Sequence, residues 1–506
     1  MTTRRVAVMV MGASLMWAGL ARAQAVQNVV LRNSFNPVGA GARGLGMGGA
    51  FIAVADDGTA ASFNPAGLSQ LRRSELALVG FSDKVRSTLS VPPSPFGEAS
   101  TRVSTARHGA PDFAGLAVPF TAGSRSFTVQ LAYQRAVDLF GRGSALVQNT
   151  VLFQDLGIDR PGSVDVVAEI SPSQSGAFHT ASVALASSLT SRLSLGLSMN
   201  YWVAEWSATG SANFSLRSAP RPGARPVEFS RTETEFSQDQ SLRGINLNAG
   251  FLLKFARVSV GGVVRLPFAG DYRLTEHTTS RTFELGLPPR LPQTTDPFAN
   301  TRLHWPRSAG VGLALRPFRG LTLAADYTRS QWSRTFIEDV PGGALLTERQ
   351  LTADGQAQDT FTDRNFFDLL PASQSATADT GQWRAGVEYL LVLPKVVVPL
   401  RGGLFRDRSP VSELGTNEGR RIRGFTVGTG ANFNRLVFDL AFERRQSEGL
   451  VALRFRRGEP LDAASPTEAV REDRVVASLI YRFGDDDPIK RALRYLFVGP
   501  EDKGTN

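Results

Sequence analysis

The stretch LSLGLSMNY, residues 193–201, decides the fold class of this chain. Its odd-numbered positions carry Leu, Met or Tyr, and its even-numbered positions carry Ser, Gly or Asn. Alternate side chains of a β-strand point to opposite faces, so this pattern predicts a strand with one apolar face and one small, polar face. A soluble sandwich would bury the apolar face, whereas a membrane barrel exposes it to lipid and lines its interior with the polar one.

The same alternation recurs from residue 75 onward. The connections are short and long in turn: residues 190–192, for example, are followed by the long connection 205–240. Short turns at one end and long loops at the other are typical of outer-membrane barrels, and an even strand number leaves both chain ends in the periplasm. The sequence therefore predicts an all-β fold, a 14-stranded antiparallel transmembrane β-barrel over residues 74–483. The fourteen segments are 75–82, 110–120, 126–138, 179–189, 193–204, 241–255, 258–270, 305–317, 320–332, 381–393, 396–407, 420–433, 436–446 and 470–483.

Aromatic residues fall near both ends of these segments. About ten residues of tilted strand separate the two sets, which corresponds to an apolar band of roughly 25 Å. We therefore expect two aromatic girdles at the membrane interfaces. The set at the short turns is Phe120, Phe255, Phe318, Phe433 and Phe483, and the set at the other end is Tyr133, Tyr201, Phe268 and Tyr327.

The N-terminus has the organisation of a secretory signal peptide. Arg4 and Arg5 precede an apolar run over residues 6–20, and Ala21-Arg22-Ala23 follows as a cleavage site. We expect residues 1–23 to be removed. At the other end, residues 484–506 form a periplasmic C-terminal extension, either a short amphipathic helix on the membrane surface or a loosely ordered tail.

Composition argues against catalysis. The chain has no Cys and only four His, each isolated, and no nucleophile-elbow, phosphate-binding or metalloprotease motif is present. We expect no enzyme activity, no metal, no cofactor and no nucleic acid. The net charge of +10 is almost entirely Arg, which fits either acidic lipid headgroups and carboxylate ligands or a coding bias spread over the loops.

The stretch GARGLGMGGAFIAVADDGTAASFNPAGL, residues 41–68, lies between the cleavage site and the first strand. A segment that starts in the periplasm is most simply placed inside the barrel, as a plug over residues 24–73. Gly46, Gly48 and Gly49 would allow its backbone to approach the wall closely. Asn64 before Pro65 predicts a turn, and Asp56-Asp57-Gly58 predicts another.

This stretch, followed by fourteen strands, resembles the FadL/TodX family of outer-membrane transporters. The resemblance rests on residues 33–72, with the Gly-rich run, the Asp pair and Asn64-Pro65-Ala66. It implies an N-terminal hatch domain that plugs the barrel. It also implies uptake of long-chain fatty acids or aromatic hydrocarbons, by capture in an extracellular-loop pocket and hatch-gated lateral release. The candidate hatch residues are Gly46, Gly48, Gly49, Asp56, Asp57, Asn64, Pro65 and Ala66.

Two further sets of residues are candidates for the pathway. Apolar loop residues would form the ligand pocket, and charged residues at inward-facing positions would line the lumen, where they either pair with one another or contact a ligand. A lateral opening requires a broken ladder, for which Gly261-Gly262 with Pro267 and Pro399 with Gly402-Gly403 are candidates. The pocket candidates are Leu139, Phe140, Phe153, Phe366, Phe367 and Leu370; the lumen charges are Arg265, Arg316, Asp326, Arg384, Glu388, Arg401, Asp439 and Glu443.

The expected location is the outer membrane of a Gram-negative bacterium. The expected partners are hydrophobic small molecules, outer-membrane lipid and lipopolysaccharide, and the barrel-assembly machinery, whose signal Tyr481-Arg482-Phe483 resembles; we expect a monomer. Two alternatives stay open. One is a FadL-like barrel that serves as a non-transport scaffold or shuttle in protein secretion, and the other is a general polar porin.

Overall fold

The computed structural model describes most of the chain, and residues outside the following ranges are not described. They are 35–93, 99–142, 145–152, 163–218, 227–288, 291–295, 298–338, 348–351, 357–360, 363–367, 375, 377–412, 419–450 and 467–484. The signal peptide, the extension beyond residue 484, Phe153 and Leu370 therefore lie outside the described residues. Among the described residues, no helix is long and apolar enough to cross a membrane.

Fourteen strands form one closed antiparallel sheet. Each strand pairs with the next along the chain, and β14 pairs with β1 from Glu75–Arg482 to Ser90–Thr467, which closes the barrel. The predicted 14-stranded barrel is confirmed. Its strands are β1 (Glu75–Val91), β2 (Ser100–Ala122), β3 (Arg125–Asp138), β4 (Ser163–Ser188), β5 (Leu193–Ser218), β6 (Glu228–Lys254), β7 (Val258–Arg265 and Phe268–Glu284), β8 (Phe298–Trp305 and Ser308–Leu315), β9 (Leu321–Ser330), β10 (Thr380–Val392), β11 (Val397–Ser412), β12 (Gly419–Asn432), β13 (Leu436–Leu450) and β14 (Thr467–Arg482).

The outer surface carries an apolar band of limited height. On β5 the outward-facing positions are apolar from Leu195 to Tyr201 and then become polar at Glu205 and Thr209, although the strand continues to Ser218. Exposed apolar surface of this extent would be unfavourable in water and fits the hydrocarbon core of a bilayer. The upper parts of the long strands β4 to β6 therefore stand above the membrane.

Two neighbouring strands are interrupted at the same level. Proline cannot donate a ladder hydrogen bond, and β7 breaks at Pro267 while β8 breaks at Pro306. Residues 266–270 of β7 lie opposite residues 244–247 of β6, so the chain slips by one residue and the inward-facing parity reverses. Phe268 consequently points inward and is buried, and its placement in the outer aromatic girdle was wrong.

Residues 35–71 lie within the barrel, and we name them the inner segment. They contain α1 (Ala42–Gly46), α2 (Ala60–Phe63) and a 3-10 helix over Pro65–Gln70. The segment packs against inward-facing side chains of the wall and has its own apolar core of fully or almost fully buried side chains. That core includes Met47, Phe51, Phe63 and Leu68.

Short strands lie near the loop end of the barrel. Gly141–Arg142 and Ala145–Leu152 extend the wall beyond β3 by pairing with the upper part of β4. Phe336–Ile337 pairs with β8 and with Arg364–Asn365. Outside the main sheet, Glu348–Leu351 pairs with Ala357–Thr360. Gln293–Thr295 pairs with the end of β7.

Candidate functional site

A chain of buried ion pairs joins the inner segment to one side of the barrel. Arg43 donates two hydrogen bonds of 3.0 Å to the Glu388 carboxylate on β10. Glu388 Oε2 also accepts from Arg401 Nε at 2.7 Å, and Arg401 Nη1 donates to Asp439 at 2.7 Å. Burial alone would lower the pKa of the Arg43 guanidinium, but Asp56 and Glu388 raise that pKa well above its ordinary value. Positive and negative groups therefore alternate from the inner segment into the wall.

Two more charged wall residues hold the backbone of the inner segment. Asp326 Oδ2 on β9 accepts hydrogen bonds from the amides of Phe51 at 2.7 Å and Ile52 at 2.9 Å. Arg384 Nη1 on β10 donates to the Gly48 carbonyl at 2.7 Å. Hydrogen bonds to charged groups are stronger than those between neutral partners, so this attachment is firm.

The remaining candidate charges contact the wall or only the edge of the inner segment. Glu443 pairs with Arg445 on its own strand. Arg316 Nη1 donates to Ser259 Oγ at 2.9 Å, near the short-turn end of the barrel. Arg265 Nη2 lies 3.4 Å from the Phe63 carbonyl. No group of three or more possible metal ligands occurs within the described part of the chain.

Glycines on both surfaces let the inner segment touch the wall. Gly48 has φ +69°, and a Cβ there would lie 2.7 Å from the Ala385 carbonyl oxygen. On the wall, a Cβ at Gly403 would lie 2.2 Å from Gly48 N, and one at Gly261 would lie 2.5 Å from the Ile52 oxygen. The β7 and β11 ladders run through Gly261-Gly262 and Gly402-Gly403. Gly261 and Gly403 therefore make room for the inner segment, and the ladders continue through all four glycines.

The other two hatch glycines also lie against the wall. Gly49 has φ +76°, and a Cβ there would lie 2.5 Å from Arg384 Nη1. A Cβ at Gly46 would meet Gly428 Cα at 3.3 Å.

Asn64 makes the contact on the opposite side of the inner segment. Its fully buried Nδ2 donates to the carbonyls of Ile52 and of Phe251 on β6, both at 3.0 Å. Its Oδ1 accepts from Ala66 N at 3.1 Å, and Pro65 begins the 3-10 helix. This side chain thus ties two turns of the inner segment to the wall by neutral hydrogen bonds alone.

Asp56 and Asp57 contact other residues of the inner segment. Asp57 Oδ1 accepts from the amide and hydroxyl of Thr59 at 2.9 and 2.6 Å, which is a side-chain-stabilised turn. Asp56 forms an ion pair with Arg43 at 2.5 Å, and about a third of its side chain is exposed.

A cluster of aromatic side chains fills the barrel toward the loop end. Phe35 of the inner segment lies at its centre, with ring centroids 5.1 Å from Phe367 and 6.1 Å from Trp332. Three of the candidate pocket residues, Leu139, Phe366 and Phe367, belong to this cluster, whereas Phe140 instead stacks on His108 at 4.5 Å. Sequence reasoning missed the tryptophans of the cluster; the signal was the parity reversal at the two prolines, which turns Trp305 inward. The aromatic members are Phe35, Phe178, Trp202, Trp206, Phe268, Tyr272, Trp305, Trp332, Phe366 and Phe367.

Two cavities of about 80 Å³ each flank the start of the inner segment. One, which we name the charged cavity, is lined by acidic and basic groups that include Asp83, Asp112 and Arg474. The other, the neutral cavity, lies beneath the aromatic cluster and is lined by apolar, amide and hydroxyl side chains. Arg265 is the single charged residue among those that line the neutral cavity.

The wall beside the neutral cavity is thin. Ala132 on β3 and Ser182 on β4 line the neutral cavity on the inside and also an apolar groove on the outer surface. The β2–β3 ladder ends at Phe113–Gln134, and above that level residues 100–111 of β2 pair with β1 only. β3 itself bulges between Arg135 and Val137. The sequence of residues 126–138 gave no sign of this weak point, because the interruption is a lack of pairing and not a proline or glycine.

Comparison with known proteins supports the fold. No protein-family model and no curated protein matches the chain. Among solved structures, a Pseudomonas aeruginosa FadL homologue is 13% identical with a TM-score of 0.53, over 89% of this chain and 99% of that chain. The P. putida toluene transporter TodX is 14% identical with a TM-score of 0.52, over 88% and 99%. The chain therefore has the FadL/TodX fold, that of a 14-stranded barrel of the Gram-negative outer membrane.

Proposed function

We propose that this protein takes up hydrophobic compounds through the outer membrane. A solute is captured in the aromatic cluster at the loop end, passes beside the inner segment, and leaves sideways into the bilayer near β3. The inner segment acts as the hatch. The TodX structure is described as a toluene transporter, and the shared fold makes a related cargo the simplest reading.

Capture requires a place where an apolar solute replaces water contacts. The aromatic cluster offers this, because it is apolar, lies above the membrane-facing part of the wall, and contains residues of the loop region such as Phe366 and Phe367. An apolar pocket that binds most of a small ligand's surface is the usual form of such a site. Movement of these loop residues would open the cluster to a solute.

The thin wall at Ala132 and Ser182 is the observation that carries the proposal. A cavity and an outer apolar groove share these two small residues, so an opening of the wall here would give a path from lumen to lipid without a water-filled step. The hydrophobic effect opposes release of such a solute into water and favours direct transfer to lipid. The ladder is continuous at Ala132 and Ser182 themselves, but just above them β2 and β3 separate beyond the Phe113–Gln134 pair.

A disulfide between the inner segment and the wall tests the gating step. The ideal Cβ of Gly58 lies 3.0 Å from the Ala77 Cβ on β1, so Gly58→Cys with Ala77→Cys needs only a small shift to reach disulfide geometry. The chain has no other Cys, so this bond forms without competition. We expect the oxidised variant to lose uptake of labelled toluene and long-chain fatty acid in a transporter-deleted host, and reduction to restore it.

Two matched disulfides complete the design. Ala114→Cys with Tyr133→Cys joins directly opposed residues near the top of the β2–β3 ladder, and oxidation should also lower uptake. Leu313→Cys with Ala325→Cys joins β8 to β9 away from the thin wall and should leave uptake unchanged. Normal uptake by the oxidised Gly58/Ala77 variant would contradict hatch gating. No uptake by folded wild-type protein would contradict transport and favour the secretion scaffold.

A further inference from the structure

Arg265 has an unusual environment for an inward-facing cation. It is the only charged residue that lines the neutral cavity, and its Nη1 is buried without a hydrogen-bond partner among the described residues. Its one hydrogen bond is the long contact of Nη2 with the Phe63 carbonyl. No ion pair of Arg265 with a carboxylate occurs in the described part of the chain.

Three other inward-facing arginines pair with carboxylates, whereas Arg384 and Arg316 donate to neutral acceptors and do not line this cavity. Arg401 contacts Glu388 and Asp439, Arg474 contacts Asp83, and Arg482 contacts Glu75. A buried charge without a partner is costly, and one whose guanidinium has free donors is suited to bind an anion in two-point geometry. The neutral cavity therefore supplies a cation that has no counter-ion among the described residues.

The surroundings of Arg265 restrict the shape of that anion. Trp202, Trp305 and Trp332 line the same cavity, together with the amides of Asn200, Asn246 and Asn248. A cavity of roughly 150 Å³ accommodates benzene. The neutral cavity, at about 80 Å³, holds one ring only after its side chains move apart, and a long acyl chain would need still more space. Aromatic faces also stack favourably on a single planar ring.

We propose that the neutral cavity binds single-ring aromatic carboxylates, with the carboxylate on Arg265 and the ring among the three tryptophans. This inference rests on the proposed function and names its substrate class. A neutral ring would occupy the same space but would leave the guanidinium unpaired. The cavity therefore prefers an aromatic acid to an aromatic hydrocarbon of the same size.

The test uses the purified full-length protein folded in detergent micelles, with benzoate as the probe. Benzamide is the matched ligand, because it has the same shape without the charge, and hexanoate is the matched carboxylate without the ring. Quenching of tryptophan fluorescence reports binding, since three of the six tryptophans line the cavity. We expect benzoate to bind at least about tenfold more tightly than benzamide, the range for a hydrogen bond to a charged group. We also expect it to bind more tightly than hexanoate.

Substitution of the arginine provides the second readout. Arg265→Gln should bring benzoate and benzamide within about twofold of each other, and Arg265→Lys should keep part of the preference. Arg316→Gln removes another inward-facing cation, which does not line the cavity, and should leave the preference unchanged. A benzoate-to-benzamide ratio that survives Arg265→Gln overturns the inference.

The wild-type protein alone also decides the question if a variant does not fold. Equal affinity for benzoate and benzamide, or for benzoate and hexanoate, overturns the inference. Binding of toluene without binding of benzoate overturns it too, but leaves the proposed uptake of hydrophobic compounds standing. The failure of the inference is therefore distinguishable from failure of the proposed function.

Discussion

The barrel holds the inner segment in two different ways on its two sides. On the side of β9 to β13, Asp326, Arg384 and the Arg43–Glu388–Arg401 series hold it through charges. On the side of β3 to β7, the attachments are mainly neutral hydrogen bonds, such as those of Asn64 and of Gln130 with Gly58, and Arg265 adds only a long contact of 3.4 Å with the Phe63 carbonyl. In the proposed mechanism, the charged side keeps the segment attached and the neutral side releases it.

The energetic difference between the sides follows from desolvation. Breaking one member of a buried charge network leaves an uncompensated charge, whereas a lost neutral hydrogen bond costs much less. The neutral side is also where the neutral cavity and the thin wall lie. A hatch that stays attached through β9 to β13 and moves away from β3 to β7 would open the lateral path without leaving the barrel.

The largest expected loss of stability is for a substitution at the centre of the charged side. Arg401→Met removes the cation between Glu388 and Asp439, and we expect a loss of about 3–5 kcal/mol in the free energy of unfolding. Chemical denaturation in lipid vesicles measures it. Arg316→Met, which loses one hydrogen bond to Ser259, is the control and should cost no more than about 1.5 kcal/mol. Equal losses would mean that the ion pairs of Arg401 contribute no more than one hydrogen bond to a neutral group.

A second prediction separates two causes of lost stability at Gly48, the close contact with the wall and the strain of a positive φ. Gly48→Ala places a Cβ 2.7 Å from a wall carbonyl oxygen at φ +69°, and we expect a cost of about 2–3 kcal/mol. Gly123→Ala in the β2–β3 turn has φ +59° with no atom within 4 Å, so only the strain of about 1–2 kcal/mol remains. Unfolding free energies of both variants test this, and an equal cost would show that the wall yields at Gly48.

The third prediction concerns the neutral side. Asn64→Ala removes the hydrogen bonds to Ile52 and Phe251, which should cost about 1–2 kcal/mol locally. Hydrogen exchange of amides in residues 52–66 should become faster, while the Gly48 amide, which donates to Thr426 on β12, stays protected. Uniform acceleration across the inner segment would contradict independent release of the neutral side.

The barrel was predictable from sequence because one physical pattern repeats in every strand. Between short turns, the membrane forces apolar outward positions to alternate with small or polar inward positions, and the predicted 193–204 matches the lower part of β5. The upper part of β5, as far as Ser218, is polar on its outer face and lacks the alternation, so the predicted strand ended too early. Phe268 was misplaced because the slip at Pro267 reverses parity, which periodicity alone does not report.

The partners of the charged residues were not predictable in the same way. Parity placed Glu388 and Arg401 on the inner face, but Arg43, 345 positions earlier than Glu388, gave no sign of its partner. Such pairings depend on where the inner segment rests within the barrel, which is set by close contacts of glycines such as Gly48 and Gly403. Glycines in the sequence indicate that two backbones come close together, but they do not indicate which wall residues the inner segment contacts.

The smallest expected effect on stability concerns the ion pairs of Arg43, which contacts the buried Glu388 and the partly exposed Asp56. Its pair with Asp56 leaves about a third of the Asp56 side chain in contact with solvent, whereas only 3% of the Glu388 side chain is exposed. Water and salt screen an exposed pair, so Asp56→Asn should lower the unfolding free energy by at most about 1 kcal/mol, with less effect at high salt. Denaturation at two salt concentrations measures this, with Glu388→Gln as the buried counterpart.

A loss of stability for Asp56→Asn as large as that for Glu388→Gln, or one independent of salt, would show that Asp56 belongs to the charged attachment of the inner segment. The fixed side of the hatch would then extend beyond the wall strands to the turn at residues 56–58.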